Sequence, residues 1–119
     1  MATRGRGAVG SLIGLDVGSA HVKAALVLPG SGVAHVARRA TLTHTTRGVG
    51  AYHKPGELLG AAESAIAECV GAARAAGAPV PAAIGIAGMA EAGVPLDAHG
   101  RTVGDIVAWF DARPGPQAE

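Results

Sequence analysis

Near its start the chain has an aliphatic stretch that a polar centre divides into two halves. Residues 11–28 are aliphatic except around Asp16 to His21. The Gly-Ser dipeptide at 18–19 is of the kind that closes two-residue hairpins, so the pattern predicts a strand, a tight turn and a second strand. With a loop at 18 and 19, position 17 faces 20, 16 faces 21 and 14 faces 23. That register places Asp16, His21 and Lys23 on one face.

A third strand and a long connection follow. Pro29-Gly30-Ser31-Gly32 is a turn sequence, and Val33 to Thr43 then alternates small and apolar residues with polar ones. The first three strands are therefore predicted to form an antiparallel meander. From His44 to Lys54 the chain is polar and contains glycine without a sharp turn signal, which predicts an exposed connection.

Hydrophobic residues then recur every three or four positions, which is the spacing of an amphipathic helix. Pro55 suits the first helical position and Gly77 suits the C-terminal cap, so we predict one helix between them. Its apolar stripe comprises Leu58, Leu59, Ala62, Ile66, Cys69, Val70 and Ala73. Because the chain holds 27 alanines and 19 glycines, the core beneath this helix is predicted to be thin.

The last part of the chain predicts one parallel strand and one more hairpin. Ala82 to Ala87 is a short apolar run after a helix-ending Gly-Ala-Pro, as expected of a strand that a crossover helix returns beside the first strand. Val94 to Leu96 and Ile106 to Phe110 flank Asp97 to Gly100, whose residue order suits a type I turn. The predicted fold class is therefore α/β, with a three-stranded antiparallel meander, a crossover helix, a parallel strand and a hairpin.

Composition narrows the classes of function. The 10 Lys and Arg residues nearly balance the 9 Asp and Glu residues, and only Tyr52, Trp109 and Phe110 are aromatic. The chain therefore lacks the positive field and the stacking surfaces that would favour nucleic acid or an anionic membrane. No apolar run approaches the ~18 residues of a membrane span, and the first ten residues lack the apolar core of a signal peptide. The single cysteine, Cys69, forms no internal disulfide, which favours the cytoplasm.

The polar centre of the first hairpin suits phosphate chemistry. Gly18 lets the backbone approach an anion closely, Ser19 adds a hydroxyl donor, and Asp16 at the strand end is placed to hold hydrated Mg²⁺. The alternative is a structural hairpin in which Asp16 and Lys23 only solvate one face. The five histidines are spread without the spacing of metal ligands, so no further metal site is predicted.

Two further motifs follow the hairpin along the chain and are interpreted together with it. The predicted parallel strand continues as Ile84-Gly-Ile-Ala-Gly-Met-Ala-Glu91, and the chain later reads Trp109-Phe-Asp-Ala-Arg113. Together with Asp16-Val-Gly-Ser19 and Lys23, in this order, residues 11–113 resemble the start of the first domain of an FGGY-type carbohydrate kinase. The resemblance implies the ribonuclease H-like fold of the actin-like ATPase superfamily.

The resemblance also assigns roles to individual residues. Gly18, Ser19 and Lys23 occupy the positions of the family's first phosphate loop, and Asp16 occupies the position of a carboxylate that holds Mg²⁺ through water. The positions that contact the substrate are occupied by Met89, Glu91, Trp109, Asp111 and Arg113. The implied cofactors are ATP and Mg²⁺, and the implied partner is a sugar or polyol substrate.

Several positions depart from the family pattern and leave the identity of the sugar open. Met89 stands where a glutamine is common, and Ala90-Glu91 follows where glycerol kinases carry Arg-Glu and xylulose kinases carry Met-His. His53-Lys54 stands where Gln-Asp usually precedes the helix proline. Plainer alternatives are Trp109 as a core residue, with Asp111 and Arg113 as a surface pair, and Glu91 as a solvated turn residue.

The expected organisation is a disordered tail over residues 1–10, a partial sugar-binding domain over 11–113 and a truncated tail over 114–119. By the resemblance, the catalytic aspartate, the second phosphate loop and the adenosine pocket lie beyond residue 119, so no catalytic residue is assigned within this chain. We expect the N-terminal part of an ATP-dependent carbohydrate kinase, inactive alone. The alternatives are a non-catalytic sugar- or phosphate-binding module, which self-associates or pairs with a complementing chain, and a non-kinase member of the same superfamily.

Overall fold

The structure, a computed structural model, describes residues 10–47 and 50–111 of the 119-residue chain. The predicted tails therefore lie outside the described residues, apart from Gly10. The described elements, in chain order, are β1 (Leu12–Val17), β2 (His21–Leu28), β3 (Gly32–Ala40), β4 (His44–Thr46), β5 (Gly50–His53), α1 (Pro55–Ala75), β6 (Ala83–Gly88) and β7 (Ile106–Val107). They form a four-stranded sheet in the order β3-β2-β1-β6 and a three-stranded sheet in the order β4-β5-β7.

The larger sheet confirms the predicted meander, crossover helix and parallel strand. β1 pairs with β2 and β2 with β3, both antiparallel, and α1 then leads to β6, which runs parallel to β1. β3 ends at Ala40 instead of the predicted Thr43. Its partner strand β2 begins at His21, opposite Ala40, and beyond that pair the N–H of Thr41 donates to the carbonyl of Ala20 in the hairpin loop, at 2.9 Å.

The register of the first hairpin differs from the prediction by one loop position. Asp16 pairs with Lys23, two residues beyond its predicted partner His21. The N–H of Gly18 donates to the carbonyl of His21 at 3.0 Å, so Gly18 closes the ladder and the loop consists of residues 19–20. Because the pairing moves by two residues, which is the side-chain period of a strand, Asp16, His21 and Lys23 still share one face.

A thin core joins one face of the sheet to α1. The sheet contributes alternating buried residues, which are Ile13, Leu15, Val22, Ala24, Leu26 and Ala37, and the helix contributes Ala62, Ala65, Cys69 and Ala73. The buried helix residues of this core are all small, and the larger Leu58, Ile66 and Val70 pack against it partly buried. Leu59, predicted to lie on the apolar stripe, is 60% exposed and is a correction to that prediction. Burial raises the pKa of the Cys69 thiol above its ordinary value of 9.0.

The helix begins and ends as the sequence indicates. Pro55 occupies the first turn, where its missing N–H is not needed. At the other end Gly77 adopts a φ of +63°, its N–H donates to the carbonyl of Arg74 at 3.1 Å, and the N–H of Ala78 donates to the carbonyl of Ala73 at 2.9 Å. This pair of bonds is a Schellman motif, which favours glycine at the left-handed position.

A group of polar contacts joins one side of α1 to β3. Glu68 accepts hydrogen bonds from His35 Nε2 at 2.7 Å and from the Arg39 guanidinium at 2.8 Å. Arg39 also donates to the hydroxyl of Ser64 at 2.9 Å. These bonds, with that of His35 the largest cause, hold the pKa of Glu68 below its ordinary value of 4.5.

The smaller sheet corrects two predictions. The stretch from His44 to Lys54 is not an open connection, because its two ends pair as the antiparallel strands β4 and β5. β7 does not pair with Val94 to Leu96 as predicted; it adds to β5, with His53 opposite Ile106. These strands are too short to show an alternation of their own, and the contact between β5 and β7 joins distant parts of the chain.

The predicted turn at Asp97 to Gly100 forms where the sequence places it. The N–H of Gly100 donates to the carbonyl of Asp97 at 3.0 Å, and Leu96 pairs with Thr102 in an isolated bridge. The Asp97 carboxylate accepts the N–H groups of His99 and Arg101. The backbone N–H of Arg101 is the main cause that lowers the pKa of Asp97 below its ordinary value of 3.8.

Candidate functional site

The loop after β1 is a tight hairpin held from the side by β3. Besides closing the ladder, Gly18 accepts a hydrogen bond from the hydroxyl of Thr41 at 2.7 Å. A side chain at Gly18 would place a Cβ 2.7 Å from the carbonyl oxygen of His21, closer than non-bonded atoms approach. The glycine is therefore required by the hairpin itself, and Ser19 stands at its tip. The sequence analysis missed Thr41, since a threonine at a strand end carries no distinctive signal.

Asp16 and Lys23 lie side by side on the sheet face that points away from α1. Asp16 Oδ2 is 3.5 Å from Lys23 Nζ, and the side chains are 50% and 47% exposed. An ion pair this open to water adds little stability. Both side chains line a groove of about 550 Å³ whose remaining lining residues are glycine, alanine or aliphatic, which are Gly14, Leu15, Ala25, Val36, Gly85, Ile86 and Ala87.

The donor set at this groove suits one hydrated divalent cation and does not suit a protein-built metal cage. Among residues 10–47 and 50–111, no group of three or more His, Cys, Asp or Glu side chains is placed to hold a metal ion. Asp16 is the one carboxylate that lines the groove. Magnesium keeps several waters and often takes only one or two carboxylates from a protein, so a single half-exposed aspartate fits Mg²⁺ bound through water.

A second pocket brings three predicted substrate residues together. It measures about 270 Å³ and is lined by Met89, Ala90, Glu91 and Trp109. Its position follows from the sheet, because the N–H of Met89 donates to the carbonyl of Val17 at 2.9 Å and extends the pairing of β6 with β1. Val17 directly precedes the glycine of the hairpin. The pocket therefore opens beside the hairpin, at the carboxyl ends of two parallel strands, where open α/β sheets bind ligands.

Glu91 has an unusual backbone. Its φ is +57°, and no other non-glycine residue in the described part of the chain has a positive φ. Left-handed backbone is unfavourable for a residue with a Cβ and is found mostly where the surrounding structure imposes it, often at functional sites. Glu91 is also one of the residues that line the pocket.

Trp109, Phe110 and His53 form a series of edge-on ring contacts that begins at this pocket. The Trp109 ring meets the Phe110 ring edge-on at 5.5 Å between centroids, and Phe110 meets the His53 ring at 6.3 Å. Trp109 itself is 54% exposed, so it is not the core residue of the plainer alternative. Asp111 is placed by its N–H, which donates to the carbonyl of Ala108 at 2.9 Å, and it is not part of the described pocket lining. Arg113 lies outside the described residues.

His53 is a buried histidine that the sequence analysis placed in an exposed connection. It is 1% exposed, and Nδ1 lies 3.0 Å from the carbonyl of Leu42, to which a protonated Nδ1 donates. Nε2 is buried without a hydrogen-bond partner among the described residues. The burial arises from the smaller sheet, because β5 carries His53 against Phe110 after the β7 strand.

Family comparison agrees with this architecture. The sheet order, the hairpin and the crossover helix define the N-terminal part of an actin-like ATPase domain. The sequence model of the FGGY family of carbohydrate kinases, N-terminal domain, matches residues 11–119, and the chain belongs to this family. No curated protein matches the chain. No helix in the described part of the chain is long and apolar enough to cross a membrane.

Solved structures share the fold. The chain is 29% identical to the xylulose kinase from Rhodospirillum rubrum, with a TM-score of 0.81 over 90% of this chain and 22% of that one. It is 23% identical to a xyloylose kinase from Brucella ovis, with a TM-score of 0.79 over 91% and 22%. It is 17% identical to the gluconate kinase from Lactobacillus acidophilus, with a TM-score of 0.81 over 91% and 21%. The last two likenesses show the fold alone, and the chain spans about a fifth of each of these proteins.

Proposed function

We propose that the protein to which this chain belongs transfers the terminal phosphoryl group of ATP to a hydroxyl of a sugar or polyol. In this proposal the chain supplies the first phosphate loop and part of the sugar pocket. The observation that carries it is the juxtaposition of Glu91 and Trp109 in one pocket that opens beside the Gly18 hairpin. A sugar in this pocket lies next to the loop that would hold the phosphate.

Each side chain has a chemical task in this arrangement. The Glu91 carboxylate accepts a hydrogen bond from a substrate hydroxyl, and the exposed Trp109 ring offers an apolar surface to the C–H face of a sugar. The hairpin N–H groups and the Ser19 hydroxyl donate to phosphate oxygens, and Lys23 adds a positive charge. When bound, Mg²⁺ neutralises charge on the phosphates, and Asp16 would hold it through water.

We expect the remaining parts of the reaction to come from outside this chain. The matching kinases are four to five times longer, since the chain covers 21% to 22% of them. The base for the attacking hydroxyl, the second phosphate loop and the adenosine pocket belong to that remainder in this proposal. The chain alone should therefore bind ligands without turnover. We propose a cytoplasmic location, because Cys69, the one cysteine of this chain, is buried and free.

The fluorescence of Trp109, the single tryptophan of the chain, tests the sugar pocket directly. We would titrate the chain with xylulose, gluconate and a polyol, and expect a saturable change with at least one of them. Glu91→Gln keeps the shape of the side chain and removes its charge. The glutamine carbonyl still accepts a hydrogen bond, so the variant loses only the difference between a charged bond, roughly 1.5 to 3 kcal/mol, and a neutral one, roughly 0.5 to 1.5 kcal/mol, and affinity should fall by about five- to tenfold.

The matched control for this titration is Glu63→Gln, which removes the same charge from an exposed position on α1. It should leave affinity within about twofold of the parent. If Glu91→Gln behaved like Glu63→Gln, the pocket would not be the sugar site and the plainer turn interpretation of Glu91 would replace it.

The second candidate function is a non-catalytic module that pairs with another chain. It is favoured by β6, an edge strand on which all six residues are exposed, with Ile84 and Ile86 at 46% and 72% exposure. Apolar edge strands normally pair or are covered. Sugar-dependent ATP turnover by the complete protein would favour the kinase, whereas sugar binding without turnover would favour the module.

A further inference from the structure

Three charged residues form a row across the sheet face that points away from α1. Asp16 on β1 lies directly opposite Lys23 on β2, and Lys23 lies directly opposite Arg38 on β3. Directly paired residues project to the same side of a sheet, so the three side chains share one face. Asp16 and Lys23 line the groove, and Arg38 lies next to Lys23 on the same face, just outside the groove lining.

Two consecutive arginines on β3 lie on opposite faces of the sheet. Arg39 points to the helix side, where Glu68 and Ser64 occupy its guanidinium. Arg38 points to the groove side, where its guanidinium donates to Nδ1 of His21 at 3.0 Å. In the described part of the chain Arg38 forms no ion pair with a carboxylate. His21 therefore positions Arg38 without neutralising it.

The groove consequently has surplus positive charge at one end. The negative charge of Asp16 balances the positive charge of only one of the two cations, Lys23 or Arg38. His21 accepts a hydrogen bond through Nδ1 and adds no negative charge. Away from these charges the groove lining carries no other charged group and consists of glycine, alanine and aliphatic side chains. Such a site suits a ligand with several negative charges in a short chain.

We propose that Arg38 is a second phosphate ligand, which together with Lys23 binds the polyphosphate of a nucleoside triphosphate. This inference rests on the proposed kinase function and adds a residue on β3 to its phosphate loop. Lys23 acts as a point charge, whereas the planar guanidinium of Arg38 contacts two phosphate oxygens at once. The bond to His21 keeps that fork near the groove before the ligand arrives.

Calorimetric titration of the 119-residue chain with inorganic tripolyphosphate tests this role without requiring catalysis. We expect saturable binding that weakens as salt is added, because exposed charges are screened. Arg38→Gln should weaken binding by about three- to tenfold, and Arg38→Lys, which keeps the charge and loses the fork, should lie in between. Arg38 is exposed, and a circular dichroism melt of each variant reports whether it remains folded.

Arg74→Gln is the matched control, because Arg74 is an exposed arginine in the last turn of α1. It removes the same charge on the opposite side of the sheet and should change the tripolyphosphate affinity by less than about 1.5-fold. Equal effects of Arg38→Gln and Arg74→Gln would overturn the proposal. Absence of saturable binding by the parent chain up to about 10 mM would overturn it as well.

The sugar titration separates this inference from the proposed function. Arg38 does not line the pocket of Glu91 and Trp109, so Arg38→Gln should leave the sugar response of Trp109 unchanged. A sugar response together with an ineffective Arg38→Gln refutes the role of Arg38 alone. Loss of the sugar response with tripolyphosphate binding still sensitive to Arg38 refutes the sugar pocket and retains the phosphate site.

Discussion

The left-handed backbone at Glu91 makes a prediction that separates stability from binding. We expect Glu91→Gly to stabilise the chain and at the same time to weaken the binding of sugar by about ten- to a hundredfold. The Cβ of a non-glycine residue at φ +57° is the source of the unfavourable energy, and glycine lacks it. Glu91→Ala removes the carboxylate but keeps the Cβ, so it should lose sugar affinity without gaining stability.

The magnitude follows from two opposing terms. A left-handed conformation costs a residue with a Cβ roughly 1–2 kcal/mol, and glycine removes that term. Glycine also gives the unfolded chain more freedom, which costs about 0.5–1 kcal/mol. The net gain for Glu91→Gly is about 0.5–1 kcal/mol. For a domain of this size that gain corresponds to a rise in Tm of roughly 2–8 °C.

Ala90 provides the control, since it neighbours Glu91 and has no positive φ. Ala90→Gly incurs only the unfolded-state term and should lower Tm by a similar amount, about 2–8 °C. Thermal unfolding followed by circular dichroism, and urea unfolding at 25 °C, would measure the parent and the three variants. If Glu91→Gly lowered Tm as far as Ala90→Gly does, the backbone would not be strained at Glu91 and the argument would fail.

Three further predictions concern the hairpin, the core and the margin of the helix. Gly18→Ala should destabilise the chain by about 1–3 kcal/mol in urea unfolding, because the new Cβ would lie 2.7 Å from the carbonyl oxygen of His21. Gly14→Ala is the control and should be nearly neutral, because no atom lies within 4 Å of its added Cβ. Because the pKa of Cys69 is raised in the folded chain, the free energy of unfolding should decline as the pH rises above 9.0, and Cys69→Ala should lack that decline. The lowered pKa of Glu68 implies stabilisation of the folded chain that is present above pH 4.5 and is lost as the pH falls below it. Glu68→Gln should therefore flatten the acid side of a curve of unfolding free energy against pH. An unchanged curve would contradict the ion-pair geometry.

Much of the larger sheet could be predicted because its signals are local. An apolar run around a Gly-Ser centre, a turn of Pro29 to Gly32 and a three-to-four-residue periodicity between Pro55 and Gly77 each report on neighbouring residues. A parallel strand after a helix then has few places to pair. The family resemblance, and no local signal, proposed Glu91 and Trp109 as substrate residues, and in the structure both line one pocket.

Tertiary structure decided what depends on residues far apart in the chain. The loop of the first hairpin lies one position later than predicted, and Gly18 closes the ladder. The carbonyl of Gly18 also accepts a hydrogen bond from the hydroxyl of Thr41, which is 23 positions away in the chain. β5 and β7 pair although the whole helix and β6 separate them, and this pairing buries His53. Arg38 and Arg39 look equivalent in sequence, yet the strand turns one to the helix and the other to the groove. Periodicity indicates that a strand has two faces, but only the packing of α1 determines which face is covered and which meets a ligand.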